Sequence, residues 1–316
     1  MITIKRYKDE DREIWNKCCR NSKAPMFIFE REFMEYHKHR FCDHSLIFYN
    51  EDGEIIALLP CNESNGELFS HAGLTYGGFI TNTKMKQHIM NDCFDILVDY
   101  AKKNGFQAIT YKAVPHIFHK QPAEEDRYAL FRHNAKILKV EPATVVNLEQ
   151  PLKMPKGRKS QISRAIREGI EVKELFESDD YHSFMNLENQ VLKQHHNATA
   201  VHSGDEMYLL YSRFPEHIHL YGAFYKDELI AGSVIYEYGQ TIHTTYLAAN
   251  DVARKNGALD LTIKTMLDRY QNEKKWFDFG ISTENGGLFM NEGLISQKEG
   301  FGGRTDIYDT WIITIK

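Results

Sequence analysis

The sequence predicts a mixed α+β protein built from two similar halves, each a mostly antiparallel sheet flanked by helices. Three observations carry this. Strand patterns of period two alternate with helical patterns along all 316 residues. The length suits two domains of ordinary size. The order of elements in residues 1–150 also recurs in residues 151–316. Gly53-Glu-Ile-Ile-Ala57 finds its counterpart in Asp227-Glu-Leu-Ile-Ala231, 174 positions on, and Ile89 in Ile263 at the same spacing. Thr75-Tyr76 matches Thr245-Tyr246, and Ile109 with Tyr111 matches Phe279 with Ile281, each 170 positions on. A shared order at near-constant spacing is what a duplication leaves behind.

In the first half, residues 1–7 alternate Ile2 and Ile4 with a polar face, a strand. Asp9–Arg20 places Ile14, Trp15 and Cys18 on one helical side, and Phe27–Arg40 carries Phe29, Phe33, Met34 and His37 at helical spacing. Ser45–Tyr49, the turn Asn50–Gly53 and Glu54–Leu59 form a hairpin, because Asp-Gly between apolar runs favours a tight turn. Lys84–Asn104 is an amphipathic helix stopped by Asn104-Gly105, and Gln107–Ala113 is a strand. Ala135–Leu148 holds further strand pattern. Pro151–Pro155 reads as a linker.

In the second half, helices are expected at Lys156–Gly169, Asp180–His196, Met207–Arg213 and Ala258–Gln271. Strands are expected at His219–Tyr225, Leu229–Tyr238, Thr241–Ala248, Phe277–Ile281 and Asp306–Ile315. The stretch Trp276–Arg304, rich in glycine, begins as the first of the last two strands and runs into a long turn-rich loop, and loops of that length inside a domain are usually functional or disordered.

Composition narrows the function. Hydrophobic residues make up 42% and charged ones 26%, as in a soluble globular chain with a sizeable core. The net charge of −5 argues against bulk electrostatic binding of nucleic acid. No apolar run approaches the roughly 18 residues needed to span a bilayer, and the first residues lack a secretory h-region. The five cysteines show no CxxC spacing, which fits a reducing, cytoplasmic setting. The six histidines from His182 to His219 have no metal-ligand spacing, so no metal is expected.

Three stretches carry a family resemblance: Ser70–Gly78 (SHAGLTYGG), Arg158–Ala165 (RKSQISRA), and Asp278-Phe-Gly280 followed by Gly293-Leu294 and Lys298-Glu-Gly-Phe-Gly302. Together with the duplicated strand–helix–strand order, they make the chain resemble the Fem-like family of tandem GNAT-fold acyltransferases. The resemblance implies two GNAT-like domains, with the active site in the second and the acceptor held in part by the first. It implies a bacterial enzyme that adds an acyl or aminoacyl group to a primary amine, on a small molecule or a peptidoglycan precursor. No bound cofactor is implied. The co-substrate is acyl-CoA or aminoacyl-tRNA, with tRNA then a partner, and the alternative is a GNAT-fold protein that binds a ligand without catalysis. By the same resemblance, Lys298 stabilises a developing oxyanion or contacts a phosphate.

The resemblance also implies a donor loop, and the residues add further candidates. Acyl-CoA enzymes of this fold present backbone N–H groups at a helix N-terminus to the pyrophosphate. Here Arg254, Asn256 and Gly257 lie in the corresponding piece, where Leu259 replaces a small residue. A base is needed to deprotonate the attacking ammonium, and Glu237 and His243 have the chemistry for it. Tyr246 suits protonation of a leaving group. Lys153–Arg167 carries six basic residues and no acid, so Arg158, Lys159 and Arg164 are candidates for phosphate contact. His71 and Tyr76, in the glycine-rich segment of the first half, are candidates for the acceptor site.

Overall fold

The computed structural model describes residues 2–316. The chain groups into two units. One holds the residues through Pro142 with Thr283–Phe289 and Ile307–Lys316, and the other holds Ala143–Ser282 with Met290–Asp306.

The chain begins with β1 (Thr3–Arg6), α1 (Arg12–Arg20) and the short α2 (Arg31–Met34). The long helix expected at Phe27–Arg40 is broken, because Glu30 takes extended backbone angles (φ −72°, ψ 147°) between a 3-10 turn and α2. Strands β2 (Cys42–Asp43), β3 (Leu46–Tyr49), β4 (Ile55–Leu59), β5 (Asn62–Ser64), β6 (Glu67–Phe69) and β7 (Ile80–Thr81) follow. Then come α3 (Gln87–Lys103), β8 (Ala108–Lys112), α4 (Glu125–Arg132) and β9 (Lys136–Asn147). In the β3–β4 turn, Asn50 Oδ1 accepts from the N–H groups of Asp52 and Glu54 at 3.1 and 2.8 Å.

In the first unit, β1, β3, β4 and β7 make one antiparallel sheet, while β8 pairs with β6 in parallel. Phe48, Leu59, Phe94, Leu97 and Ile109 fill its core. β7 and β8 flank α3 in sequence but do not pair. The gap between them is closed by Tyr111. Its hydroxyl accepts from Phe79 N–H at 2.8 Å and donates to Asp126 Oδ2 at 2.7 Å.

The chain continues through α5 (Lys156–Arg167), β10 (Glu171–Leu175), α6 (Ser178–His196), α7 (Gly204–Arg213), β11 (Ile218–Tyr225), β12 (Glu228–Glu237) and β13 (Thr241–Ala249). It then passes through α8 (Asp251–Asn256), α9 (Ala258–Tyr270), β14 (Trp276–Ile281), β15 (Thr283–Glu284), β16 (Phe289–Met290), α10 (Glu292–Glu299) and β17 (Arg304–Thr314). Residues Thr310–Thr314 of β17 pair antiparallel with β8, and Ile313 completes the first core. Sequence reading placed this closing strand with the second half.

In the second unit the sheet runs β10-β11-β12-β13-β14 and ends on Ala143–Asn147 of β9. Every pairing is antiparallel except β13–β14. That parallel register holds for three pairs, from Thr241↔Trp276 to His243↔Asp278, and then the strands part. Ala165 of α5 and Ile263, Met266 and Leu267 of α9 cover one face with Ile235 and Ile242. On the other face the Phe184 ring of α6 lies so close to Gly232 that a Cβ there would come within 2.9 Å of it. Burying a large apolar side chain of this kind contributes about 1.5–3 kcal/mol.

A bulge marks the middle of β13. Val234 pairs with Tyr246 and Ile235 with Thr244, so Thr245 is the extra residue. A bulge breaks the strict alternation of side chains and can turn two successive residues toward one side.

The stretch Trp276–Arg304 is more ordered than its glycine content suggests. Asn291 Oδ1 accepts from Leu294 N–H at 3.0 Å and caps α10. Lys298 therefore sits in the last turn of a helix, and the glycine turn only follows it. In that turn Gly302 has φ +92°, and a Cβ there would lie 2.7 Å from the Leu152 carbonyl oxygen.

Candidate functional site

Beside the point where β13 and β14 part, the second unit holds an open cavity of about 590 Å³. Arg158 and Gln161 of α5, Glu188 of α6, Thr244 and Thr245 of β13 and Lys298 of α10 line it, with Arg254 of α8 and Leu259 and Asp260 of α9. The bulge is what lets the successive residues Thr244 and Thr245 both border it. A larger open groove of about 740 Å³ lies in the first unit along Ile55, Lys84 and His88. None of its lining residues carries a buried side-chain polar atom without a partner, whereas Gln161, Glu188 and Thr245 of the smaller cavity do.

Lys298 is buried, and its Nζ donates to the carbonyl oxygens of Gly280 and Ile281 at 3.0 and 2.6 Å. Burial pushes the ammonium down to about 8, while the nearby Asp278 carboxylate works the other way. Asp278 is wholly buried. One of its oxygens accepts from His243 Nδ1–H at 2.7 Å and the other from Gly280 N–H at 2.7 Å. Gly280 has φ +67°, and a Cβ there would sit 3.4 Å from the His243 ring. His243, Asp278, Gly280 and Lys298 thus form one buried chain of bonds at the parting of the strands. His243 reaches the site through Asp278 and is not among the cavity-lining residues.

Glu188 was not singled out in the sequence. It is 7% exposed, its Oε2 has no hydrogen-bond partner, and burial raises its carboxyl to about 7. Gln161 Oε1 and Thr245 Oγ1, on two other walls of the cavity, are likewise buried and unpartnered. The signal was there to find. Tyr181, Phe184, Met185, Glu188 and Val191 share one stripe at helical spacing, and the other four are core residues.

The remaining candidates fall in several places. Glu237 pairs with Lys274 at 2.7 Å and His219 at 3.3 Å, contacts that outweigh burial and hold its carboxyl at about 2. Tyr246 does not line the cavity. Its hydroxyl is held by His202 Nδ1 at 2.6 Å, and burial raises it to about 12. Arg158 lines the cavity but is committed to the Asp260 carboxylate and the Gln297 carbonyl, with its guanidinium 4.2 Å over the Phe301 ring. Arg164 bonds Glu168 and the Lys255 carbonyl, and Lys159 is exposed. In the first unit, His71 adopts φ +53° and is held down at about 3 by burial. It borders a pocket of about 150 Å³ with Arg31 and Asp43. Tyr76 is core, 4.6 Å from the Phe118 ring.

The expected donor loop is helical. Asn250 caps α8, accepting from Ala253 N–H at 3.0 Å through its side chain and from Arg254 N–H at 3.0 Å through its carbonyl. Gly257 N–H donates to Ala253 O, and Asn256 Oδ1 accepts from Ala258 N–H. Arg254 Nε donates to the Ala249 carbonyl at 3.2 Å. Gly257 has φ +80°, and a Cβ there would lie 2.4 Å from the Gln161 carbonyl oxygen. Gly257→Ala is therefore expected to cost about 1–3 kcal/mol of stability, read by urea unfolding.

Among the described residues no helix is long and apolar enough to cross a membrane, and no group of three or more His, Cys, Asp or Glu is placed to hold a metal. Residues 156–285 match the acetyltransferase (GNAT) domain family. The fold is similar to the crystal structure of FemX at a TM-score of 0.69 and 10% identity, over 99% of this chain and 97% of that one. It is similar to the C-terminal domain of a putative lysylphosphatidylglycerol synthetase from Agrobacterium fabrum, at 0.64 and 13%, over 96% and 92%. A tandem GNAT protein from the clavulanic acid biosynthesis pathway aligns at 0.53 and 10%, over 100% and 99%. No curated protein matches by sequence. The architecture is thus a tandem GNAT fold similar to that of FemX, and residues 156–285 carry the match to the GNAT domain family.

Proposed function

We propose that the protein is an N-acyltransferase that moves an acyl or aminoacyl group to a primary amine in the cavity of the second unit. The observation that carries this is Lys298: a buried ammonium at the edge of the strand gap, fixed by two carbonyl oxygens, in a cavity whose walls mix polar side chains such as Gln161, Glu188, Thr244 and Thr245 with apolar ones. A fixed cation in a site shielded from water stabilises the oxyanion of acyl transfer. The cavity supplies positioning, and no covalent enzyme intermediate is required.

Of the two donors, an aminoacyl ester fits better than a CoA thioester. The N–H groups of Ala253, Arg254, Gly257 and Ala258 are bonded within the chain, and the Asp260 carboxylate borders the cavity in the first turn of α9. That leaves a diphosphate a poor cradle. The resemblance to Fem-like enzymes supports an aminoacyl-tRNA donor and an acceptor amine on a cell-envelope precursor.

The test supplies the protein with acetyl-CoA or with an aminoacylated RNA minihelix, each against a panel of primary amines, and follows product mass. Amide product from the minihelix alone is the expected result. Product from acetyl-CoA alone would reverse the donor assignment. A ligand that raises Tm with turnover from neither donor would establish the non-catalytic reading.

A further inference from the structure

The cavity of the second unit has a polarity mismatch that its cations do not relieve. Lys298, Arg158 and Arg254 each donate to carbonyl or carboxylate oxygens of the chain itself. The groups left without partners are on lining residues and can all accept: Glu188 Oε2, Gln161 Oε1 and Thr245 Oγ1. They come from three elements, α6, α5 and the bulge of β13. An orphaned buried acceptor costs about 1–3 kcal/mol, more when charged, so three on one cavity mark a place for a donor-rich ligand. A primary ammonium has three N–H donors and one positive charge, which matches two neutral acceptors and one carboxylate.

We propose that Glu188, Gln161 and Thr245 form the seat of the acceptor's primary ammonium, and that Glu188 removes its proton for attack. This deepens the N-acyl transfer reading and rests on it for the chemical step alone. Glu188 takes one proton from the ammonium. The freed nitrogen lone pair forms the N–C bond to the donor's acyl carbon, and the C–O bond of the ester breaks. A second proton from that nitrogen passes to the leaving oxygen, and Glu188 returns its proton to water. Burial favours the protonated form of Glu188, while an ammonium beside it restores the carboxylate. Tyr246 of β13 lies close enough to Glu188 to feel its charge, which is a cost the bound cation also offsets. The seat selects amines over alcohols, since a hydroxyl brings one donor and no charge.

Two measurements test this, one of them independent of turnover. Binding of n-hexylammonium and of its N,N,N-trimethyl analogue is followed by NMR titration. The primary ammonium is expected to bind at least about tenfold more tightly than the quaternary one, and Glu188→Gln should erase that difference while Tm is retained. Equal binding of the two cations, or a preference untouched by Glu188→Gln, overturns the seat even if acyl transfer is confirmed. Conversely, a preference for the primary ammonium with no acyl transfer would overturn only the transfer reading. In transfer assays, Glu188→Gln is expected to lower kcat about 10²–10⁴-fold with an alkylamine. With methoxyamine, already neutral at pH 7, the loss should shrink to less than about tenfold. The same loss with both acceptors would mean that Glu188 only shapes the cavity.

Discussion

Lys298→Ala is expected to lower kcat about 10²–10³-fold at pH 7 while KM changes little, which is the size of effect seen when one fixed oxyanion donor is removed. The substitution removes a cation that the ground-state substrate does not need, so the loss belongs in kcat. Lys298 holds its charge in a buried site at about 8, well below an exposed lysine. Activity that needs the ammonium should therefore decline as pH rises through about 8. The stability sign runs the other way for this group. Below about 8 both the folded and the unfolded chain hold the proton, and burial of the charge costs stability. Between about 8 and the ordinary lysine range of 10.5 only the unfolded chain holds it, so this contribution to stability rises with pH. A Lys298→Ala enzyme with unchanged kcat across pH 6–9 would remove the oxyanion role.

Lys298 also shows how far sequence reading reached. Its spacing before a Gly-Phe-Gly turn singled it out, and the structure brings it to the cavity. Its helix was missed because α10 is short and weakly amphipathic, carries Gly293 in its first turn and ends at Gly300, and only the Asn291 cap announces it. The alternation of apolar and polar residues made the strands of the second unit legible. Their register was not, because a single bulge at Thr245 changes which residues face the cavity. Glu237 and His243 have the right chemistry for a base, but chemistry does not give the face or the partners. Lys274 takes Glu237 and Asp278 takes His243, and both partners come from distant parts of the chain. Arg158, Lys159 and Arg164 read as one basic patch, yet folding commits the first to Asp260 and the third to Glu168, and leaves the second exposed. The first half kept the element order, but Tyr111 occupies the gap that the second half leaves open, a substitution of bulk for space that no motif records.

Asp278→Ala is expected to be the most destabilising single change in the site, at about 3–5 kcal/mol, because it removes one partner from a buried, bonded pair. The carboxylate is inaccessible to solvent, and it accepts from both His243 Nδ1–H and Gly280 N–H. Loss of the acceptor leaves the Gly280 donor without this bond in a place water does not reach. Asp278→Asn keeps an oxygen for Gly280 and should cost less, about 1–3 kcal/mol. The two variants share one consequence. Both remove the negative charge that supports the Lys298 ammonium, so both should lower the Lys298 pKa further and move the alkaline limb of the rate profile toward lower pH. Urea unfolding reads the first effect and a pH–rate profile the second. A large stability loss with an unmoved alkaline limb would show that Asp278 holds the strands together without tuning Lys298. A limb that moves equally in Asn and Ala, despite their different stabilities, would separate the electrostatic coupling from damage to the fold.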